Sequence, residues 1–261
     1  MRRNKAAVAT GSVVTTLILV SCFVAFLGWA NAIRTSQQQE KTLRQLIERS
    51  YSEAVMAALS GDEKKALSAL EIEAPNSISS VKRLIIKGLL AINDGRNDDA
   101  VACADQALND STLSLESDLI AVHSLLATAC CYAGDDARSF IHLGHLQDLE
   151  PEDELDYLFL AYAHWVHDPQ RSLAYLEHAP SVKASAVGIL IRGAVDMMRG
   201  KELRDADRID HALQDFEYVQ LLFRDNQCSR AWRVIALANA ISLAEKEGRT
   251  EAIDEYRKTG E

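Results

Sequence analysis

The sequence predicts an all-α protein, an array of helix hairpins behind a single apolar N-terminal helix. Three observations carry that expectation. The 261 residues are 48% hydrophobic but only 6% aromatic, with four prolines. Ala, Leu, Glu and Lys, which recur throughout, lose little on entering a helix. A turn signature returns at intervals near 34 residues, and one uncharged stretch near the N-terminus is long enough to cross a bilayer.

That stretch comes first in the chain. Residues 1–5 carry Arg2, Arg3 and Lys5, and residues 6–33 carry no charge. That uncharged stretch, with its apolar heart running from Val13-Val14 through Leu17-Ile18-Leu19-Val20 to Phe23, Phe26, Leu27 and Trp29, exceeds the ~20 residues that a transmembrane helix requires. Trp29 falls at the far interface, where its amphipathic ring is favoured. Three basic residues in front outweigh Arg34 behind. The N-terminus is therefore expected in the cytoplasm and the remainder outside, in a single-pass protein of the cell membrane.

Two processing signals compete with a retained anchor. Ala30-Asn31-Ala32 has the A-x-A form of a signal-peptidase site, and Leu19-Val20-Ser21-Cys22 resembles a lipoprotein box. The apolar run continues past Cys22 and is longer than the roughly 7–15 residues of a signal-peptide core, which favours the anchor. Residues 34–47, with Gln37, Gln38 and Gln39, predict a helical neck, and residues 48–261 the repeat domain.

Within that domain the signature is a helix, a Gly or Asp at the turn, then a second helix. It occurs at Gly61, Gly95, Gly134, Asp168, Gly200 and Gly248, at intervals of 34, 39, 34, 32 and 48 residues. Gly supplies the positive φ that ends the first helix, and the acidic residues after it suit the positive end of the second. A small or apolar residue follows a few positions later, as at Ala66, Ala100, Ala137, Leu173 and Ala252. Seven positions before the turns stand Ala54, Gly88, Ala127, Ala161 and Gly193. The sixth such position holds Ile241, beside Ala240. Small side chains there let paired helices approach closely. The longest interval predicts an extended second helix over Leu203 to Phe223.

These turns and small residues resemble the tetratricopeptide (TPR) repeat, whose period is about 34 residues. The resemblance covers Leu46 to Tyr256. It lacks the Trp and most of the Tyr of that signature, and the late Pro is matched at Pro151. It implies a right-handed α-solenoid that binds a protein or peptide in a groove lined by the first helix of each pair. The positions it assigns to that groove are Tyr51, Lys82, Ser124, Thr128, Tyr132, Tyr162, Trp165, Met197 and Met198. The basic start, apolar span and Gln-rich helix also resemble the juxtamembrane segment of bacterial transmembrane serine/threonine kinases. No Gly-rich loop, Val-Ala-Ile-Lys, His-Arg-Asp or Asp-Phe-Gly sequence accompanies them. The alternatives to a scaffold are thus the regulatory half of such a kinase or a TPR-type lipoprotein adaptor.

A net charge of −10 with no basic stripe after Arg49 argues against a nucleic-acid partner. No phosphate-binding loop, nucleophile elbow or zincin helix occurs, so neither enzyme chemistry nor a cofactor is expected. Five cysteines, Cys22, Cys103, Cys130, Cys131 and Cys228, lack metal-ligand spacing, and Cys103 and Cys130 read as buried small hydrophobes. One constellation merits a test: His142/His145 and His164/His167 place two pairs of imidazoles on helix faces, a conceivable Zn²⁺ set. Ordinary surface and interface histidines are the preferred reading, because no Cys or carboxylate completes a recognisable ligand set. The acidic run Glu150, Glu152, Asp153, Glu154 is expected to cap the next helix.

Overall fold

The computed structural model describes residues 29, 33–71, 79–111, 113, 115–180, 186–203, 206–224 and 230–260. Among them the secondary structure is helical, with no strand. The expected span over residues 6–33 lies outside the described residues, apart from Trp29 and Ile33. Among the described residues no helix is long and apolar enough to cross a membrane.

The chain divides into two compact units, Met1–Arg49 and Ser50–Glu261. In the first, residues 33–49 are helical. Arg44 meets Glu40 at 2.7 Å, four residues apart on one exposed face.

The second unit runs α1 (50–59), α2 (Glu63–Leu70), α3 (Ser80–Asn93), α4 (Asn97–Leu108), α5 (Glu116–Tyr132) and α6 (Asp136–His145, continued by a 3-10 turn to Asp148). It then continues with α7 (Glu154–His164), α8 (Pro169–Leu176), α9 (Ala186–Leu203), α10 (Ala206–Arg224), α11 (Arg230–Lys246) and α12 (Thr250–Gly260).

The joints within four of these pairs are built alike. Gly61, Gly95, Gly134 and Gly248 have φ of 78°, 73°, 82° and 68°. At each, the amide after the glycine donates to a carbonyl five residues back: Asp62 to Ala57 (2.9 Å), Arg96 to Ala91 (2.8 Å), Asp135 to Cys130 (2.8 Å) and Arg249 to Ala244 (2.9 Å). This pattern satisfies carbonyls that a helix end leaves unpaired, and it needs a residue that tolerates left-handed φ.

The next helix is then started by side chains. Asp62 accepts from the Lys65 amide at 2.9 Å, Asp135 from Arg138 at 3.1 Å and Asp168 from Arg171 at 3.0 Å. At Asp168, where no glycine stands, Pro169 occupies the first turn of α8. Asp168→Ala should lower stability by about 1 kcal/mol, read as a shift in the urea midpoint. Arg96→Ala, at a joint with no side-chain cap, should lose less.

The expected turn at Gly200 is not observed, since α9 continues to Leu203. A helical Gly costs only about 1 kcal/mol relative to Ala, which the packing of an 18-residue helix overrides. The expected second helix accordingly starts at Ala206 and ends at Arg224.

The small residues do bring helices together, with two changes of detail. Ala54, Gly88, Ala127, Ala161 and Gly193 are all buried. Their counterparts in the third and fourth pairs are Ser139 and Ser172 rather than Ala137 and Leu173. The Ser139 hydroxyl donates to the Ala127 carbonyl at 2.7 Å, and that of Ser172 to the Ala161 carbonyl. Gly88 admits a neighbour from the following pair: a Cβ built there would lie 2.5 Å from Cδ2 of Leu125.

Each pair also contacts the next. The helix α4 packs on α5, and α3 packs on α5, α5 on α7, and α9 on α11. Side chains span the same steps. Asn93 donates to the Ala58 carbonyl, Asn97 to that of Tyr132 (3.1 Å) and Thr128 to that of Tyr162 (3.2 Å). Arg138 pairs with Asp105 on the second helices. One contact skips across the array, where α11 touches α3.

Candidate functional site

Most residues expected to line a groove sit on the first helices, with Trp165 just past the end of α7, but most are covered. Tyr51, Ser124, Thr128, Tyr162 and Trp165 are buried, whereas Lys82, Tyr132 and Met197 are partly exposed. The side chain of Met198 lies outside the described residues.

Two of them meet directly. The ammonium of Lys82 lies 4.8 Å from the Tyr51 ring centroid, in cation–π range. Farther along, Tyr132 and Trp165 make an edge contact at 6.3 Å. Thr128 bridges two helices, its hydroxyl within reach of the Ser124 and Tyr162 carbonyls at 3.0 and 3.2 Å.

The polar character of this interior is stronger than the sequence suggested, because two carboxylates share it. Asp156 is buried and accepts from the Ser117 hydroxyl at 2.5 Å and the Glu152 amide at 2.9 Å. Asp118 is also buried. Burial raises its pKa; Lys82 opposes that rise, and Asp156 adds to it. Burial likewise pushes the Tyr51 phenol well up, helped by Asp118, Asp156 and Asp153. Tyr51 Oη and Ser124 Oγ are buried with no hydrogen-bond partner in the structure.

Asp118 and Asp156 escaped sequence reasoning because an acid in the first turn of a helix reads as a partner for its dipole. Phase was the available signal. Asp118 stands four and seven residues before Val122 and Leu125, and Asp156 four and seven before Leu160 and Ala163, all buried.

The four histidines of the two His-x-x-His sequences do not converge. His142 turns toward His123 of α5, with Nδ1 atoms 3.1 Å apart. His145 also joins His123, with stacked rings at 4.9 Å. His164 faces Tyr175 (5.6 Å), while His167 contacts Phe140 (4.5 Å) and the Ser139 hydroxyl (3.1 Å). The separation follows from packing: α6 lies chiefly on α5, which in turn meets α7.

In the His123–His142 contact one ring must donate and the other accept, so the pair cannot be doubly charged in this geometry. Burial and the two neighbouring imidazoles lower the His123 pKa to about 4. His142 is lowered by burial, Arg138 and His145. Cys103, Cys130 and Cys131 are free thiols.

At the other end of the domain, Arg192 grips Asp215 through two hydrogen bonds of 2.8 and 2.5 Å. Ile189, Gln214 and Tyr218 complete a shallow cleft around them. No protein-family model, curated protein or solved structure matches this chain.

Proposed function

We propose that this chain is a membrane-anchored interaction protein, a scaffold or sensor, whose TPR-like right-handed α-solenoid binds a protein or peptide along its first helices. It acts by binding, without turnover. The observation that most supports this reading is the recurrence of one joint at Gly61, Gly95, Gly134 and Gly248, joining helices that pack pair on pair. Such arrays present one helix of every pair on a common face.

Lys82, Tyr132 and Met197 are the part of that face a partner meets first. Aromatic, methionine and lysine side chains suit a helical or extended segment with acidic and apolar residues. The anchor is assigned to residues 6–33 on the strength of their uncharged length. It places the array on the outer face of the membrane by the excess of basic residues before it.

The test is site-specific photo-crosslinking of the full chain at position 132 in its native membrane, with the mature N-terminus read by mass spectrometry. The expected result is one dominant adduct whose yield drops at least about tenfold in Lys82→Glu, with the helical circular-dichroism spectrum unchanged. An adduct indifferent to Lys82→Glu would remove the groove assignment. A mature chain that starts beyond residue 33, or is lipidated at Cys22, would remove the anchor.

A further inference from the structure

The second-helix joint at Gly134 and the following joint at Asp168 come together in space, as expected of positions 34 residues apart in this array. They bring three metal-ligating side chains to one place. Cys131 ends α5, Asp136 begins α6, and His167 sits in the turn after α7. One ligand atom from each lies within 4.8 Å of the others. Asp136 is exposed, and Cys131 and His167 are partly exposed.

The surroundings prepare the imidazole. The Ser139 hydroxyl already donates its one proton to the Ala127 carbonyl at 2.7 Å. Toward His167 Nε2, 3.1 Å away, it can therefore only accept. That fixes the proton on Nε2 and leaves Nδ1 with a free lone pair. With the proton so placed, Nδ1 is the nitrogen open to a metal, and a hydrogen bond on the other nitrogen is how outer-shell groups orient metal-binding histidines. Phe140 packs at 4.5 Å against the same ring and limits its rotation.

We propose that Cys131, Asp136 and His167 form a binding site for a divalent transition metal, Zn²⁺ foremost. Sulfur, imidazole nitrogen and carboxylate oxygen are the three donor types that Zn²⁺ takes from proteins. Three protein ligands leave a fourth position for water on the exposed Asp136 side. Binding replaces the Cys131 S–H bond by an S–metal bond and releases that proton to solvent. Because that proton is lost on binding, affinity rises with pH. The metal joins the α5–α6 joint to the α7–α8 joint, clamping two neighbouring pairs. The proposal does not depend on the function proposed for the first-helix face.

The test is titration of the purified full chain with Zn²⁺ by calorimetry, and with Co²⁺ to read the thiolate charge-transfer band. One equivalent is expected to bind, with a melting temperature that rises on addition of Zn²⁺. Cys131→Ser, Asp136→Asn and His167→Gln should each weaken affinity by more than about tenfold, and Ser139→Ala by about 10–100-fold with stoichiometry retained. Cys103→Ser and His123→Gln should bind as the parent does. Because Asp136 is exposed, Asp136→Asn tests the site without disturbing the fold. Absence of stoichiometric binding would overturn the proposal. So would binding that survives Cys131→Ser and Asp136→Asn, or binding that is lost in His123→Gln.

Discussion

Phe216→Ala is expected to cost about 3–5 kcal/mol of unfolding free energy, the range for removing a buried aromatic ring. The Phe216 side chain is fully buried. It lies against Gly193 of α9: a Cβ there would sit 2.8 Å from Phe216 Cε1 and 3.1 Å from Asp215 Cβ. Gly193→Val should therefore also destabilise, by about 1–3 kcal/mol. Overpacking against a ring that cannot retreat outweighs the modest helix-propensity gain of losing a glycine.

The two changes should couple. In the double variant the added methyls enter space vacated by the ring, so the combined loss should fall short of the sum by at least about 1 kcal/mol. Urea unfolding of the four proteins measures this. Strict additivity would mean that Gly193 and Phe216 do not meet as described.

Stability is expected to fall by on the order of 3 kcal/mol as pH drops from about 6.5 to about 4, with a chelator present, allowing for the solvent that reaches these rings. His123 is lowered to about 4, chiefly by burial and then by His142 and His145. His164 is lowered to about 4 by burial and then Arg171 and His167, against Asp168. Both folded-state values lie below the ordinary 6.5. Between the two values the unfolded chain binds protons that the native chain refuses, so acid favours unfolding. Above about 6.5 the term vanishes, and below about 4 it is fully expressed. His123→Gln should flatten that part of the profile in thermal melts from pH 7.5 to 4.5. A slope unchanged in this variant would show that His123 titrates normally.

Much of the helix pattern could be read in advance because its causes are local. Gly61, Gly95, Gly134 and Gly248 mark joints through their own backbone preference, and Asp62, Asp135 and Asp168 mark helix starts through their own side chains. Gly200 misled for the same reason. Its preference is weak, and an 18-residue helix carries through it. What pairs with what was less legible. His142 was grouped with histidines ahead of it in the chain, yet its partner His123 lies behind it, on the other helix of its own hairpin.

Cys131, Asp136 and His167 share no spacing motif. Only superposing one joint on the next at the repeat interval sets them side by side. The burial of Tyr51, Tyr162 and Trp165 follows the commoner fate of aromatic side chains at helical spacing, which is the core, over a face assigned by analogy.

The touch between α3 and α11 has a mechanical consequence. An array in which members meet only their neighbours can stretch and recoil like a spring. Here α3 and α11, early and late in the sequence, meet each other, so drawing those two parts of the domain away from one another must first part that contact.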